Sequence, residues 1–154
     1  MKRSAGILVY RRSRETTEVL LAHPGGPYWA KKDLGAWTIP KGEFEADEEP
    51  LIAAQREFEE EIGQKITGQF MALAPVRLPS GKIVHAFAVA ANVDTSQVVS
   101  NLFEMEWPPH SGRRQSFPEV DRAAWFELSE ARRHIQSGQL PLLDELADRL
   151  ASEG

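Results

Sequence analysis

Residues Arg56–Gly63 read REFEEEIG, which puts Glu57, Glu59, Glu60 and Glu61 within five positions beside one arginine. Like charges three or four apart on a helix repel by roughly a few tenths of a kcal/mol per pair. Such a run needs a reason. Carboxylates that no local base neutralises are hard oxygen donors, and a few of them, with water and substrate phosphates, are what Mg²⁺ takes. At about 100° per residue, Glu57, Glu60 and Glu61 fall within about 100° of one another on a helix. Glu59 points elsewhere, into solvent. Leu51, Ala54, Phe58 and Ile62 fall within about 80° and make the core face, with Glu61 nearest its border.

The spacing around this run is more specific than the run itself. From Gly42 the chain reads GEFEADEEPLIAAQREFEEEIG: Gly, five residues, Glu48, seven residues, then Arg-Glu-Phe-Glu-Glu-Glu-Ile-Gly. The segment Gly42–Gln64 resembles the Nudix box at every charged and glycine position. The last position, usually aliphatic, is here Gln64, a departure that bears on packing at the helix exit. The strings WPP and FPEVDRAAWF also resemble a bacterial Nudix subgroup. The resemblance implies water attack on one phosphorus of a nucleoside diphosphate linked to another group. It further implies that Glu57, Glu60 and Glu61, helped by the Gly42 carbonyl, bind Mg²⁺ or Mn²⁺. Glu57 would orient or deprotonate the water, Arg56 would position Glu57, and Glu48 would supply an outer contact.

Members of the family often draw a further acid from a later loop. Glu119, in FPEVD, is the first choice and Glu104, in FEMEW, the second. Lys41, just before the box glycine, is a candidate for a substrate phosphate and equally a surface lysine. Nucleoside triphosphates, ADP-ribose and dinucleoside polyphosphates all stay open as substrates. Residues 80–82 are Ser-Gly-Lys where dinucleoside-polyphosphate hydrolases often carry tyrosine. Pro79 lies near a proline typical of ADP-ribose enzymes, but the turn LPSGK explains it. The alternative is a catalytically weak Nudix-fold nucleotide-binding module; such modules erode the box glutamates, and here all three remain.

The 154 residues suit a single domain spanning 1–154. The net charge of −5 is unevenly spread: residues 43–63 hold nine acids and one base, a local −8. The remaining 14 acids and 17 bases give +3. That is no basic stripe, so nucleic acid is not expected as a partner. No apolar run reaches the roughly 18 residues of a membrane span, so no membrane partner is expected either. The absence of cysteine excludes disulfides and thiolate metal sites. Cytoplasmic residence is the default expectation, and a homodimer is left open.

The elements that must position these residues read as follows. Ser4–Tyr10 and Glu18–Ala22 are strands, and WTIPKGEFEADEE is a short strand entering a loop. A helix runs over PLIAAQREFEEEI, with Glu49 at its N-cap, Pro50 in its first turn and Gly63 as its stop. Gln69–Val76, Ile83–Ala91, Asn101–Trp107 and Ala123–Leu128 are further strands. Residues 107–121 form a proline-bearing loop. Ser129 caps a short helix, and Leu140–Leu150 is amphipathic, with Leu142, Leu143, Leu146 and Leu150 aligned. The expected fold is α+β: a Nudix-like α/β/α sandwich with a mixed sheet and a loop-helix-loop. The four histidines are scattered, and His85 reads as packed. Tyr28, Trp29 and Trp37 bracket the first long loop and could stack on a base, with packing the better role for Trp37.

Overall fold

The computed structural model describes residues 2–153. The apolar run near the N-terminus is its centre. Residues 4–9 of strand β1 (Arg3–Arg12) are buried on both faces, as an unbroken apolar strand requires when both sides of its sheet are covered. β1 pairs in parallel with β6 (Ile83–Ala90), from Arg3↔Ile83 to Tyr10↔Ala90. On its other side it pairs antiparallel with two strands in succession. Its first half meets β3 (Lys41–Glu43) and its end meets β2 (Thr17–Pro24). The sheet continues through β9 (Val120–Glu127) beyond β2 and β4 (Met71–Ala72) beyond β6, and β5 (Val76–Arg77) also lies on β6.

Alternation along β1 splits the core in two. Ala5, Ile7 and Val9 face helix α1 (Pro50–Ile62), whose Ala53, Ala54, Phe58 and Ile62 are buried against them. Leu8 faces the opposite layer, made by α2 (Leu128–His134) and α3 (Leu140–Ser152). Leu142, Leu143, Leu146 and Leu150 are all buried there. At about 1.5–3 kcal/mol each, these leucines hold α3 far more firmly than helix propensity does. The expected α+β sandwich with a mixed sheet is the architecture found. No helix among the described residues is long and apolar enough to cross a membrane.

Three local expectations are corrected. Gln69–Val76 is not one strand. β4 and β5 pair with β6 in registers that differ by one residue, and Pro75, lacking an N–H, sits at the slip. Residues 107–121 are not all loop either. β8 (Arg114–Pro118) pairs with β7 (Leu102–Glu106) in a separate two-stranded ribbon. Arg114, Gln115 and Ser116 of β8 are all exposed, so that strand carries no apolar alternation for a reader to find. Finally, α2 starts at Leu128 behind Glu127, so Ser129 lies inside the helix and is not its cap.

Candidate active site

The site forms where β1 and β2 diverge and residues 38–43 fill the gap. Thr38 exchanges two backbone hydrogen bonds with Ala22, at 2.8 and 3.0 Å, and the Ile7 N–H donates to the Pro40 carbonyl at 3.1 Å. The Lys41 N–H, on the next step of the ladder, donates instead to Glu61 Oε1 at 3.3 Å. Because ladder bonds alternate along an antiparallel pair, the Gly42 main-chain groups face Ala5 of β1, and those of Lys41 face α1. This corrects the sequence reading: the main-chain oxygen directed toward the glutamates belongs to Lys41, not Gly42. Gly42 matters for a different reason. A Cβ there would stand 1.9 Å from Glu57 Oε2, so its missing side chain is the space the Glu57 carboxylate occupies.

The far end of α1 brings in the later loop. Gly63 ends the helix in the left-handed region, at φ 81°, and its N–H bonds Glu59 O at 2.8 Å. The orphan carbonyls of the last turn are taken by a crossing segment: the Val99 N–H donates to Ile62 O and the Asn101 N–H to Glu60 O. The Glu119 N–H then donates to Asn101 O at 2.8 Å. Helix capping thereby carries Glu119 to the glutamates.

Arg56 organises the back of the cluster. Its guanidinium donates to both oxygens of Glu48, at 3.0 and 2.9 Å, to Glu57 Oε1 at 2.8 Å and to Glu60 Oε1 at 3.2 Å. Such forked, charge-assisted bonds are short and directional. They lower the Glu48 carboxyl below its ordinary range and raise Arg56 further. Glu57 moves the other way: burial, then repulsion from Glu60, raises it despite Arg56. Glu61 is pushed up to about 8, by burial first and by Glu57 second. Burial also raises Glu119. Lys41 is lowered by burial and by Lys82, with Glu61 opposing.

One cavity of about 430 Å³ gathers Lys41, Gly42, Glu57, Glu60, Glu61 and Glu119. Arg56 and Glu48 stand behind it. Glu104 is absent from its lining; it is exposed on β7 opposite Ser116. Sequence reading missed Lys82, which also lines the cavity and pairs with Glu43 at 3.2 Å. It comes from the LPSGK turn, and nothing in that string marks it. Also missed was His23, fully buried, whose Nε2 bonds Lys32 O at 2.7 Å and whose Nδ1 meets Asp121 at 3.0 Å. It pins the loop after β2 to β9. Trp37 is core and His85 packs edge-on against Phe44, as their surroundings in the sequence suggested.

The donor set fits a hard divalent cation: four carboxylates line one cavity, burial and then mutual repulsion raise two of them, and Gly42 leaves room for Glu57. Among the described residues no three carboxylates already converge into a closed cage, and Arg56 holds one oxygen of Glu57 and both oxygens of Glu60.

The family model of the NUDIX domain matches residues 1–146. The chain belongs to the Nudix family. Similar solved structures include a C. elegans Ap4A hydrolase binary complex, at TM-score 0.67 and 22% identity, covering 97% of this chain and 98% of that one. The NUDIX domain of Shewanella oneidensis NrtR complexed with ADP ribose gives 0.66 at 15% identity, covering 96% and 87%. The E. coli ORF135 protein gives 0.59 at 25% identity, covering 98% and 92%. No curated protein matches the sequence. The one departure from the Nudix box also has a structural account. Gln64 Nε2 donates to Asp94 O at 2.9 Å and its Oε1 accepts from the Asp94 N–H at 3.3 Å, so a polar clamp stands where an aliphatic contact is usual.

Proposed function

We propose that this Nudix chain is a Mg²⁺- or Mn²⁺-dependent pyrophosphohydrolase that cleaves the pyrophosphate bond of a nucleoside diphosphate derivative. The observation that carries the reading is the convergence of Glu57, Glu60, Glu61 and Glu119 on one cavity that Lys41 and Lys82 also line. Cations and carboxylates side by side suit a phosphate chain held together with its counter-ion.

Glu57, Glu60 and Glu61 would hold the metal, with the Lys41 carbonyl and Glu119 as further oxygens. When bound, Mg²⁺ or Mn²⁺ would polarise phosphoryl oxygens and lower the pKa of the attacking water. Glu57 takes the water proton at Oε2, the oxygen beside Gly42; its other oxygen stays on Arg56, which fixes the carboxylate plane. Glu48 holds the opposite edge of that guanidinium, so it acts through Arg56 and does not touch substrate. The Lys41 and Lys82 ammonium groups draw phosphate oxygens into the cavity.

A phosphate-release screen tests this reading. Nucleoside triphosphates, ADP-ribose and dinucleoside polyphosphates are each supplied with Mg²⁺ or Mn²⁺, and at least one should be hydrolysed. Exhaustive chelation should abolish turnover and metal readdition restore it. Full activity in chelator would overturn the metal role, and no turnover across the panel would overturn the hydrolase reading.

A further inference from the structure

The loop after β2 holds two glycines at which nothing larger fits. A Cβ at Gly25 would stand 1.9 Å from the Pro118 carbonyl oxygen. One at Gly26, where φ is +95°, would stand 2.9 Å from Phe103 Cζ, in a backbone region that favours glycine. The Gly25 N–H also donates to Glu119 O at 2.9 Å. The loop is thus pressed onto the β7–β8 ribbon. Between them lies a second cavity, of about 340 Å³, walled by Tyr28, Trp29, Phe103 and Met105. Strand alternation puts Phe103 and Met105 on one face of β7 and leaves Glu104 on the other.

Glu119 lines this cavity and the acidic one alike. The two therefore share a wall. The aromatic cavity has the size and apolar lining of a small-ligand pocket. Apart from Glu119 on the shared wall, no charged or amide side chain lines it. Its walls offer flat π-faces and a thioether to the face of a planar ring; of their neutral polar groups, the Tyr28 hydroxyl both donates and accepts and so favours no one base edge, and the Trp29 indole N–H only donates. A planar ring within reach of a pyrophosphate site is the base of the same substrate.

Building on the hydrolase reading, we infer that this cavity is the nucleobase subsite and that it reads the base by stacking, accepting purines and pyrimidines alike. Stacking on aromatic side chains tolerates every base, because each has a π-face, and its loss weakens binding about 5- to 150-fold. Phe103 is the residue to remove. It belongs to a ribbon outside the main sheet, so its truncation leaves both core layers intact.

The test titrates the intact protein, in Mg²⁺, with AMP, GMP, CMP, UMP and ribose 5-phosphate, following tryptophan fluorescence or heat. The four nucleotides should bind within about tenfold of one another and ribose 5-phosphate at least about tenfold more weakly. Phe103→Ala should weaken all four nucleotides and leave ribose 5-phosphate unchanged. Met105→Ala carries the same test from the same face should Phe103→Ala melt early. On a hydrolysed nucleotide, Phe103→Ala should raise KM and keep kcat within about threefold. Equal binding of AMP and ribose 5-phosphate, no binding of any nucleotide, an unchanged variant, or one base preferred by more than about 100-fold would each overturn the subsite. A protein that binds AMP through Phe103 yet hydrolyses nothing in the panel would sink the hydrolase reading and leave the subsite standing. Turnover with an unaltered KM in Phe103→Ala would do the reverse.

Discussion

Gly42→Ala adds one methyl group to the most crowded point of the site. The new Cβ would lie 1.9 Å from Glu57 Oε2 and 2.2 Å from Glu57 Cδ, where ordinary contact begins at 3.4 Å. The carboxylate must therefore withdraw by about 1.5 Å, more than the roughly 1 Å misplacement that costs about 10²-fold in rate. Moving it also strains the 2.8 Å bond from Arg56. We expect kcat/KM to fall by at least about 10²-fold, equivalent to about 2.7 kcal/mol of transition-state stabilisation. Stability should not fall with it. Gly42 lies in a strand without a positive φ, where alanine is the better residue by roughly 0.5–1 kcal/mol. The assay pairs steady-state kinetics across a Mg²⁺ titration with thermal unfolding in chelator. Combining Gly42→Ala with the shorter Glu57→Asp should cost less than the two single losses together, because the second change removes the atoms that clash. A Gly42→Ala enzyme within threefold of wild type, or one that melts early, would refute the argument.

Three further outcomes follow from the same geometry. Glu57→Gln should lose about 10²–10⁴ in kcat, as expected when a general base is removed, whereas the exposed Glu59→Gln stays near wild type; equal losses would contradict the helix register. Glu119→Gln should cut turnover strongly with little change in metal-free stability, while Glu104→Gln stays within about 0.5 kcal/mol in stability and near wild type in rate; a normal rate for Glu119→Gln would remove it from the site. In chelator, Glu61 carries its raised value of about 8 against an ordinary 4.5, so the folded state binds the proton more tightly than the unfolded one. Its contribution is full below about pH 4.5 and is lost as pH rises through about 8. Glu61→Gln should flatten the decline in melting temperature between pH 5 and 9, and parallel curves for the two proteins would exclude Glu61 as its source.

Much of this protein is written locally. The helix Pro50–Ile62, its stop at Gly63 and the grouping of Glu57, Glu60 and Glu61 all follow from i, i+3 and i+4 geometry, which needs only neighbours in the chain. The buried strands β1 and β6 were legible for a similar reason: apolar runs of that length have to be covered. The resemblance to the Nudix box pointed to Arg56 and Glu48, which two hydrogen bonds join in the fold. What sequence could not give depends on how strands meet. The split of Gln69–Val76 comes from a register slip against β6, and β8, exposed over its first three residues, has too little burial to leave a pattern. Whether Gly42 or Lys41 turns its carbonyl to the helix is fixed by ladder parity with β1, which no local string encodes. Glu119 was already the first choice over Glu104, but the route that brings it to the cavity is tertiary: Asn101 caps α1 at Glu60 and draws the later loop with it. The aromatic cavity is likewise tertiary: Tyr28 and Trp29 acquire a role only where two glycines let their loop settle on Phe103. A helix fixes its own faces through bonds four residues long, but a cavity is the space left between elements, and only packing decides its walls.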